Sequence, residues 1–195
     1  GTGLATIGLQ PEHLVVTDLG PAMLARGLAK HDWPGVVCRA EVLPFADASF
    51  DTVFGAQMWH WVGKPAGPVE VRRVLRPGGE LLVCWNETRS AGLDWFARQQ
   101  DRLEAGNPDY QRGHREIDYN AQLGAWFSVA PPQEFTWERA LSCELYARWL
   151  RSKSYVQRLP DVDGFVRDSL SDLRAVFGDG PVVEPFVTRL WRFTA

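Results

Sequence analysis

Polar side chains that close apolar, strand-like runs are the first candidates for chemistry in this sequence. Asp18, Glu41 and Gln57 each end such a run, and His60 follows shortly after Gln57. A carboxylate in the position of Asp18, at a strand end before a helix, can accept hydrogen bonds from both hydroxyls of a ribose. His60 can act as a general base near neutral pH. Asp18 can equally be a solvated acid or a helix cap, Glu41 a plain surface acid, and His60 a hydrogen-bonded structural residue.

The elements that position these residues alternate at short intervals in the first half of the chain. Strands are predicted over 13–18, 36–41, 52–57 and 80–85, and helices over 4–9, 20–30 and from beyond 65 to 75. The last helix ends where Arg76-Pro77-Gly78-Gly79 turn the chain. This alternation predicts an α/β fold with a doubly wound parallel sheet. Ligands of such sheets sit beyond the carboxyl ends of the strands, where the polar candidates lie.

The second half is less regular. Helices are predicted over 93–104, 145–153 and 165–177, and strands over 134–142 and 184–194, with the last two strands forming an antiparallel edge. The polar stretch 105–122 contains Gly, Pro and Asn, and its composition predicts a loop or lid over the site.

Composition narrows the class of partner. The chain has 195 residues, of which 45% are hydrophobic and 23% charged, as expected for a single globular domain. A net charge of -3 argues against nucleic acid as a partner. No apolar run approaches the roughly 18 residues that cross a bilayer, and no signal peptide is visible. The three cysteines have no zinc-site spacing, so no metal is predicted. We expect a cytoplasmic protein that acts on a small molecule.

An ordered set of motifs carries a family resemblance from Gly1 to about Asn86. The set comprises Gly1-Thr2-Gly3, Asp18, Ala40-Glu41-Val42-Leu43-Pro44-Phe45, Phe50-Asp51, Gln57 with His60-Trp61, and Arg76-Pro77-Gly78-Gly79. In this order and spacing it resembles the class I S-adenosylmethionine-dependent methyltransferases of the type 11 group. A less specific similarity, Ser152–Tyr155 with Leu159-Pro160, is to trans-aconitate methyltransferase-like enzymes. The resemblance implies a Rossmann-like sheet, S-adenosylmethionine as cofactor, and a small-molecule acceptor such as a carboxylate.

The resemblance also implies a cofactor-binding half, residues 1–90, and a substrate and lid half, residues 91–195, of one domain. The implied cofactor-binding residues are Gly1, Thr2, Gly3, Asp18, Ala40, Glu41 and Gln57. The glycines would let the backbone approach the cofactor, Asp18 would bind the ribose, and Ala40 and Glu41 would lie against the adenine. Gln57 ends the strand that should pass nearest the methyl group.

Aromatic and basic residues are the candidates for binding the methyl acceptor and for assisting the transfer. Trp59 can offer an aromatic face to the sulfonium, and His60 is the candidate base if the acceptor must lose a proton. Tyr155 and Arg158 can line a pocket for an acidic substrate, because guanidinium groups fit carboxylates. The alternatives are that Trp59 belongs to the core and that Tyr155 and Arg158 lie on a solvated helix face.

In the resembling family the glycine loop follows a first, central strand, which would precede Gly1. We therefore expect that the sheet of residues 1–195 lacks this strand, between the strands ending at Asp18 and Gln57. We also expect these residues alone to bind the cofactor poorly. Two other hypotheses are a non-catalytic or truncated methyltransferase fold and a nicotinamide-dependent oxidoreductase, whose Gly-x-Gly-x-x-Gly motif would need a glycine where Thr6 stands.

Overall fold

A computed structural model of the protein describes residues 1–110 and 117–195. The strands are β1 (Val16–Asp18), β2 (Gly35–Val37), β3 (Phe50–Ala56), β4 (Leu75–Thr88), β5 (Ser128–Val129), β6 (Gln133–Leu141) and β7 (Val182–Thr194). The helices are α1 (Pro21–Leu28), α2 (Ala66–Val74), α3 (Asp94–Gly106), α4 (Tyr119–Leu123), α5 (Cys143–Arg151) and α6 (Val162–Phe177), with one 3₁₀ turn at Trp59–Trp61. Within the described residues, no helix is both long enough and apolar enough to span a membrane.

The chain forms two compact units that are not consecutive in sequence. Unit 1 comprises Gly1–Trp85, Tyr119–Gln133 and Leu190–Ala195, and unit 2 comprises Asn86–Asp118 and Glu134–Arg189. The mixed α/β class predicted from the sequence is confirmed. The first half of the chain, predicted to bind the cofactor, falls in unit 1 up to Trp85.

The strands of the described residues form two sheets. β1 pairs in parallel with β2, and β3 pairs in parallel with β4 so that Ala56 lies opposite Cys84. The larger sheet has the order β3-β4-β7-β5, with β6 also paired to β7. β5 is antiparallel to β7. β1 and β3 thus belong to different sheets within residues 1–110 and 117–195.

The predicted helix over residues 4–9 is wrong. This segment forms turns, in which the Thr6 and Ile7 N–H groups both donate to the Gly3 carbonyl at 2.9 and 3.2 Å. Leu4 and Ile7 remain exposed. A helix this short does not offset its nucleation cost unless it buries an apolar face, and this segment buries none.

β1 and β2 are also shorter than predicted. β1 begins at Val16, three residues later than the predicted start at 13. β2 ends at Val37, because residues 39–42 form a tight turn in which the Val42 N–H donates to the Arg39 carbonyl at 3.1 Å. The predicted proline start of α1 is confirmed, with Pro21 in the first turn.

The Arg76-Pro77-Gly78-Gly79 motif lies inside β4 rather than between a helix and a strand. α2 ends at Val74, and Leu75 is already extended and pairs with Phe50. The next paired residues are Thr52 and Glu80, so β4 has extra residues here and bulges. Gly78 adopts a φ of +78°, which favours glycine.

The helices of unit 2 pack around an apolar core, and the predictions of α3, α5 and α6 are confirmed to within a few residues. The buried side chains of this core are Trp95, Phe96, Leu103, Tyr110, Tyr146, Leu150, Val156, Leu159, Phe165, Val166, Leu173 and Val182. Side-chain caps define two helix starts: Ser142 accepts the Leu145 N–H at the start of α5, and Asp161 accepts the Gly164 N–H at the start of α6.

The predicted loop over 105–122 needs one correction, because residues 119–122 belong to α4, where Tyr119 and Leu123 are buried. Residues 111–116 of that prediction lie outside the described residues.

The predicted antiparallel edge is confirmed in unit 2. Arg189 binds Glu134 at 2.7 Å, and Arg139 binds Glu184, so residue numbers rise along β6 while they fall along β7. Glu184 is only 1% exposed and also accepts a hydrogen bond from Thr88 at 2.7 Å.

Candidate functional site

Asp18 ends β1 with its carboxylate held by two backbone donors. It accepts the Gly20 N–H at 2.6 Å and a hydrogen bond from the Gly1 nitrogen. Partial burial works to raise the pKa of Asp18, but the hydrogen bonds that it accepts lower it below its usual range. Asp18 is therefore an ionised acceptor at neutral pH, beside the first glycine of the Gly1-Thr2-Gly3 segment.

The Gly1-Thr2-Gly3 segment lies in close contact with two neighbours. One is Gly27 of α1, where an added Cβ would stand 3.0 Å from the Gly1 carbonyl oxygen. The other is Trp33, whose ring lies beside Gly3 and stacks on His31 with centroids 4.1 Å apart. Gly3 has a φ of +84°. Neither Gly27 nor Trp33 was chosen from the sequence, since a glycine inside a helix and an isolated tryptophan carry no site signal.

Ala40 and Glu41 occupy the middle of the tight turn after β2. The Glu41 carboxylate accepts the Gly63 N–H at 2.6 Å and pairs with Arg39 at 3.5 Å. The bond from Gly63 is the main reason that the pKa of Glu41 lies below its usual range. Glu41 thus connects this turn to the loop after the 3₁₀ turn, and its predicted contact with an adenine stays a prediction.

The motif residues Phe45 and Phe50, which were not predicted to belong to the site, have a structural role. The rings of Phe45 and Phe50 pack edge to face with centroids 4.9 Å apart. Arg73 holds the same segment by donating to the carbonyl oxygens of Phe45 and Leu43 at 2.8 and 3.1 Å. Arg73 also binds Glu70 at 2.8 Å, which fixes its guanidinium group.

Gln57 directs the chain out of β3 toward the aromatic residues. It is exposed, adopts a left-handed φ of +56°, and its N–H donates to the Cys84 carbonyl at 2.9 Å. A non-glycine residue pays strain in this region. Trp59, which follows, is 2% exposed, and its indole N–H has no partner among the described residues. The structure therefore places Trp59 in the core of unit 1.

An aromatic cluster, defined as the exposed His60 and Trp61 and the partly buried Trp85, follows the carboxyl end of β3 and includes one residue of β4. The His60 ring packs edge to face on Trp85 and at an angle on Trp61, with centroids 4.8 Å apart in both pairs. Trp61 is 77% exposed. The exposed indole of this 3₁₀ turn is therefore that of Trp61, and the prediction of an accessible aromatic face at Trp59 is wrong. Trp85 was also missed, although its position at the end of an apolar strand is a signal.

Tyr155 and Arg158 lie in unit 2. Tyr155 packs on Tyr110 with ring centroids 5.1 Å apart, and its carbonyl accepts from Asn107 at 3.0 Å. Arg158 is exposed and its guanidinium lies 3.9 Å from Asp109. Two of the three substrate residues predicted from the sequence therefore lie in unit 2, while the third, Trp59, lies in unit 1 with the cofactor candidates and His60.

Comparison with known proteins agrees with the motifs. Residues 1–83 match the methyltransferase domain family. An uncharacterized methyltransferase of Mycobacterium tuberculosis is 40% identical over 159 residues, which cover 80% of this chain and 62% of that relative. An uncharacterized methyltransferase of Schizosaccharomyces pombe is 31% identical over 170 residues, covering 82% of this chain and 64% of that relative. The chain thus spans a little under two thirds of the length of these relatives.

The fold is shared with solved structures. One described as a type II methyltransferase from Anaeromyxobacter dehalogenans has a TM-score of 0.74 at 19% identity, and the alignment covers 93% of this chain and 80% of that one. At this identity the likeness shows the fold alone. By its domain match and its related sequences the chain is similar to methyltransferases, and the solved structure shows that it shares their fold.

Proposed function

We propose that the protein binds S-adenosylmethionine through unit 1 and transfers its methyl group to a small-molecule acceptor, with a carboxylate as the acceptor group. The observation that carries the proposal is the seating of the Gly1-Thr2-Gly3 segment against α1, with Gly1 hydrogen-bonded to the Asp18 carboxylate. A glycine turn beside an acid at a strand end is the arrangement that binds nucleoside groups in doubly wound folds.

The residues present fit an adenosyl group. Asp18 is a partly exposed, ionised acceptor, which suits the hydroxyls of a ribose. Gly3 adopts a φ of +84°, a backbone conformation that a side chain would strain. Ala40 and Glu41 form a short turn whose backbone groups suit the edge of an adenine.

S-adenosylmethionine supplies an activated methyl group, so the protein has to position the acceptor and exclude water. The aromatic cluster supports this role. A tryptophan face attracts a nearby cation, and Trp61 presents such a face beyond Gln57.

His60 is proposed as the base for acceptors that must lose a proton. Its ring packs against Trp61 and Trp85, and an imidazole can take a proton from an acceptor. A carboxylate is already ionised at neutral pH, so the proposed acceptor does not need this step. The role of His60 therefore depends on the acceptor.

The proposal of a small carboxylate rests on charge. The net charge of -3 disfavours a polyanionic macromolecule. In unit 2, Arg158 is an exposed guanidinium whose pairing with Asp109 is loose at 3.9 Å. A guanidinium in this state can exchange its partner for a substrate carboxylate at little cost.

The test is transfer of a labelled methyl group from S-adenosylmethionine to a panel of small carboxylic acids, amines and phenols. We expect label in a product that releases methanol on mild base treatment, as a methyl ester does. Arg158→Ala should raise the KM for the acid roughly 10-fold without lowering kcat. Arg167→Ala, the matched control at another exposed pair in unit 2, should change neither.

A base-stable product would contradict the carboxylate, and absence of transfer to any class would contradict the activity. With a carboxylate acceptor, His60→Ala should keep its full rate. A loss of roughly 100-fold in kcat with a flattened acid limb of the pH profile would instead identify an acceptor that must be deprotonated.

A further inference from the structure

The helix α1 contains a glycine that its own conformation does not require. Gly27 is buried in the last turn of α1, and glycine destabilises a helix relative to alanine. A reason outside the helix is therefore expected. A Cβ built on Gly27 would lie 3.0 Å from the Gly1 carbonyl oxygen and 3.4 Å from the Thr2 carbonyl carbon. Both neighbours are backbone atoms, so the absent side chain makes room for the Gly1-Thr2-Gly3 segment.

Trp33 is the other close neighbour of the segment. A Cβ built on Gly3 would stand 2.8 Å from the Trp33 ring, which stacks on His31 at an interplanar angle of 15°. The segment therefore contacts α1 at Gly27 and a stacked ring pair at Gly3. A methyl group added at Gly27 would have to displace the backbone of a segment that is also in contact with Trp33.

We infer that Gly27 and Trp33 are positioning residues that seat the Gly1-Thr2-Gly3 backbone beside Asp18, and that they act on affinity for the cofactor without touching the acceptor. This inference rests on the proposed function, since the backbone they seat is the proposed cofactor turn. Gly27 sets how close the segment approaches α1. Trp33 prevents the segment from moving away.

The experiment measures S-adenosylhomocysteine binding by calorimetry and KM values for S-adenosylmethionine and acceptor in the full-length protein. Gly27→Ala should weaken binding of S-adenosylhomocysteine roughly 10-fold and raise the KM of the methyl donor by a similar factor, because hydrogen bonds at the turn are misaligned. The KM of the acceptor should not change. A general loss of packing would raise this KM as well, so the two explanations are distinguishable. Gly8→Ala is the matched control, because a Cβ at Gly8 meets nothing within 4 Å.

Equal affinity of Gly27→Ala and the unsubstituted protein would overturn the inference. Failure of the unsubstituted protein to bind would instead contradict the proposed function. If Gly27→Ala shows no cooperative melt, Trp33→Leu provides the test instead. It removes the ring contact at Gly3 and leaves the sequence of α1 unchanged. It should weaken S-adenosylhomocysteine binding roughly 3-fold or more, and unchanged affinity in Trp33→Leu would overturn the inference.

Discussion

Unit 2 and the first 42 residues of unit 1 bury their apolar side chains to very different extents. The core of unit 2 is closed: Tyr146, Val156 and Val182 have no measurable exposure. In the first 42 residues, Leu4 and Val42 are more than two thirds exposed. Burial of apolar area is the main favourable term in folding. Unit 2 thus carries much of the hydrophobic stabilisation that the first 42 residues lack.

In the first 42 residues, polar contacts at the ends of β1 and β2 help to hold the chain. The Asp18 carboxylate accepts the Gly20 N–H at 2.6 Å, and the Glu41 carboxylate accepts the Gly63 N–H at 2.6 Å. Hydrogen bonds of this kind contribute less than a buried apolar side chain. The proposed cofactor-binding elements are therefore positioned by a few hydrogen bonds and backbone contacts, while unit 2 is stabilised by the packing of its apolar core.

The largest effect should come from truncating the core of unit 2. Leu173 lies on α6 and is 1% exposed, so Leu173→Ala should lower the free energy of unfolding by about 2–5 kcal/mol through lost burial and a cavity. Leu4→Ala, the same truncation at a side chain that is 77% exposed, should change it by less than about 0.5 kcal/mol. Urea denaturation followed by circular dichroism measures both. Equal losses would break the comparison between the two regions.

The same contrast explains which elements could be predicted from the sequence. α3, α5, α6 and β7 were located to within a few residues, because long segments with one buried face show a clear hydrophobic period. β6 was located as well, although most of its residues are exposed. Residues 4–9 were predicted to be helical from their place after the glycine segment, but their leucine and isoleucine side chains stay exposed. Tertiary packing therefore decides whether such a segment becomes a helix, and a single sequence does not contain that information.

The site could be predicted where a residue type at a strand end fixes its place. Asp18 lies at the end of β1 beside Gly1, as its position in the sequence indicates. Among the tryptophans, the sequence does not distinguish the buried Trp59 from the exposed Trp61, because both belong to the same 3₁₀ turn and only packing separates them. The role of Gly27 could not be predicted for a related reason, because it depends on contact with the Gly1-Thr2-Gly3 segment, which lies far away in the sequence.

A smaller effect should appear in the polar contacts of unit 1. The pKa of Glu41 is lowered chiefly by the Gly63 N–H, so the bond stabilises the fold above the ordinary value of 4.5 and is lost as the pH falls through the lower, folded-state pKa. Glu41→Gln should cost about 1 kcal/mol at pH 7, and this deficit should shrink as the pH falls below 4.5. Denaturation at a series of pH values measures this difference.

Glu138→Gln is the control for this measurement, since it makes the same charge change at an exposed position of β6. A Glu41→Gln deficit that stayed constant from pH 7 to pH 3 would show that the charged hydrogen bond to Gly63 contributes no stability.

Calorimetric titration of the full-length protein with S-adenosylhomocysteine, with NADH as the competing ligand, tests the central claim most directly. We predict micromolar binding of S-adenosylhomocysteine, no binding of NADH, and a loss of about 1.5–3 kcal/mol of binding free energy in Asp18→Ala, the scale of lost hydrogen bonds to a charged acceptor. Binding of NADH instead, binding of neither ligand, or full affinity in Asp18→Ala would contradict the account of unit 1 as a methyl-donor site.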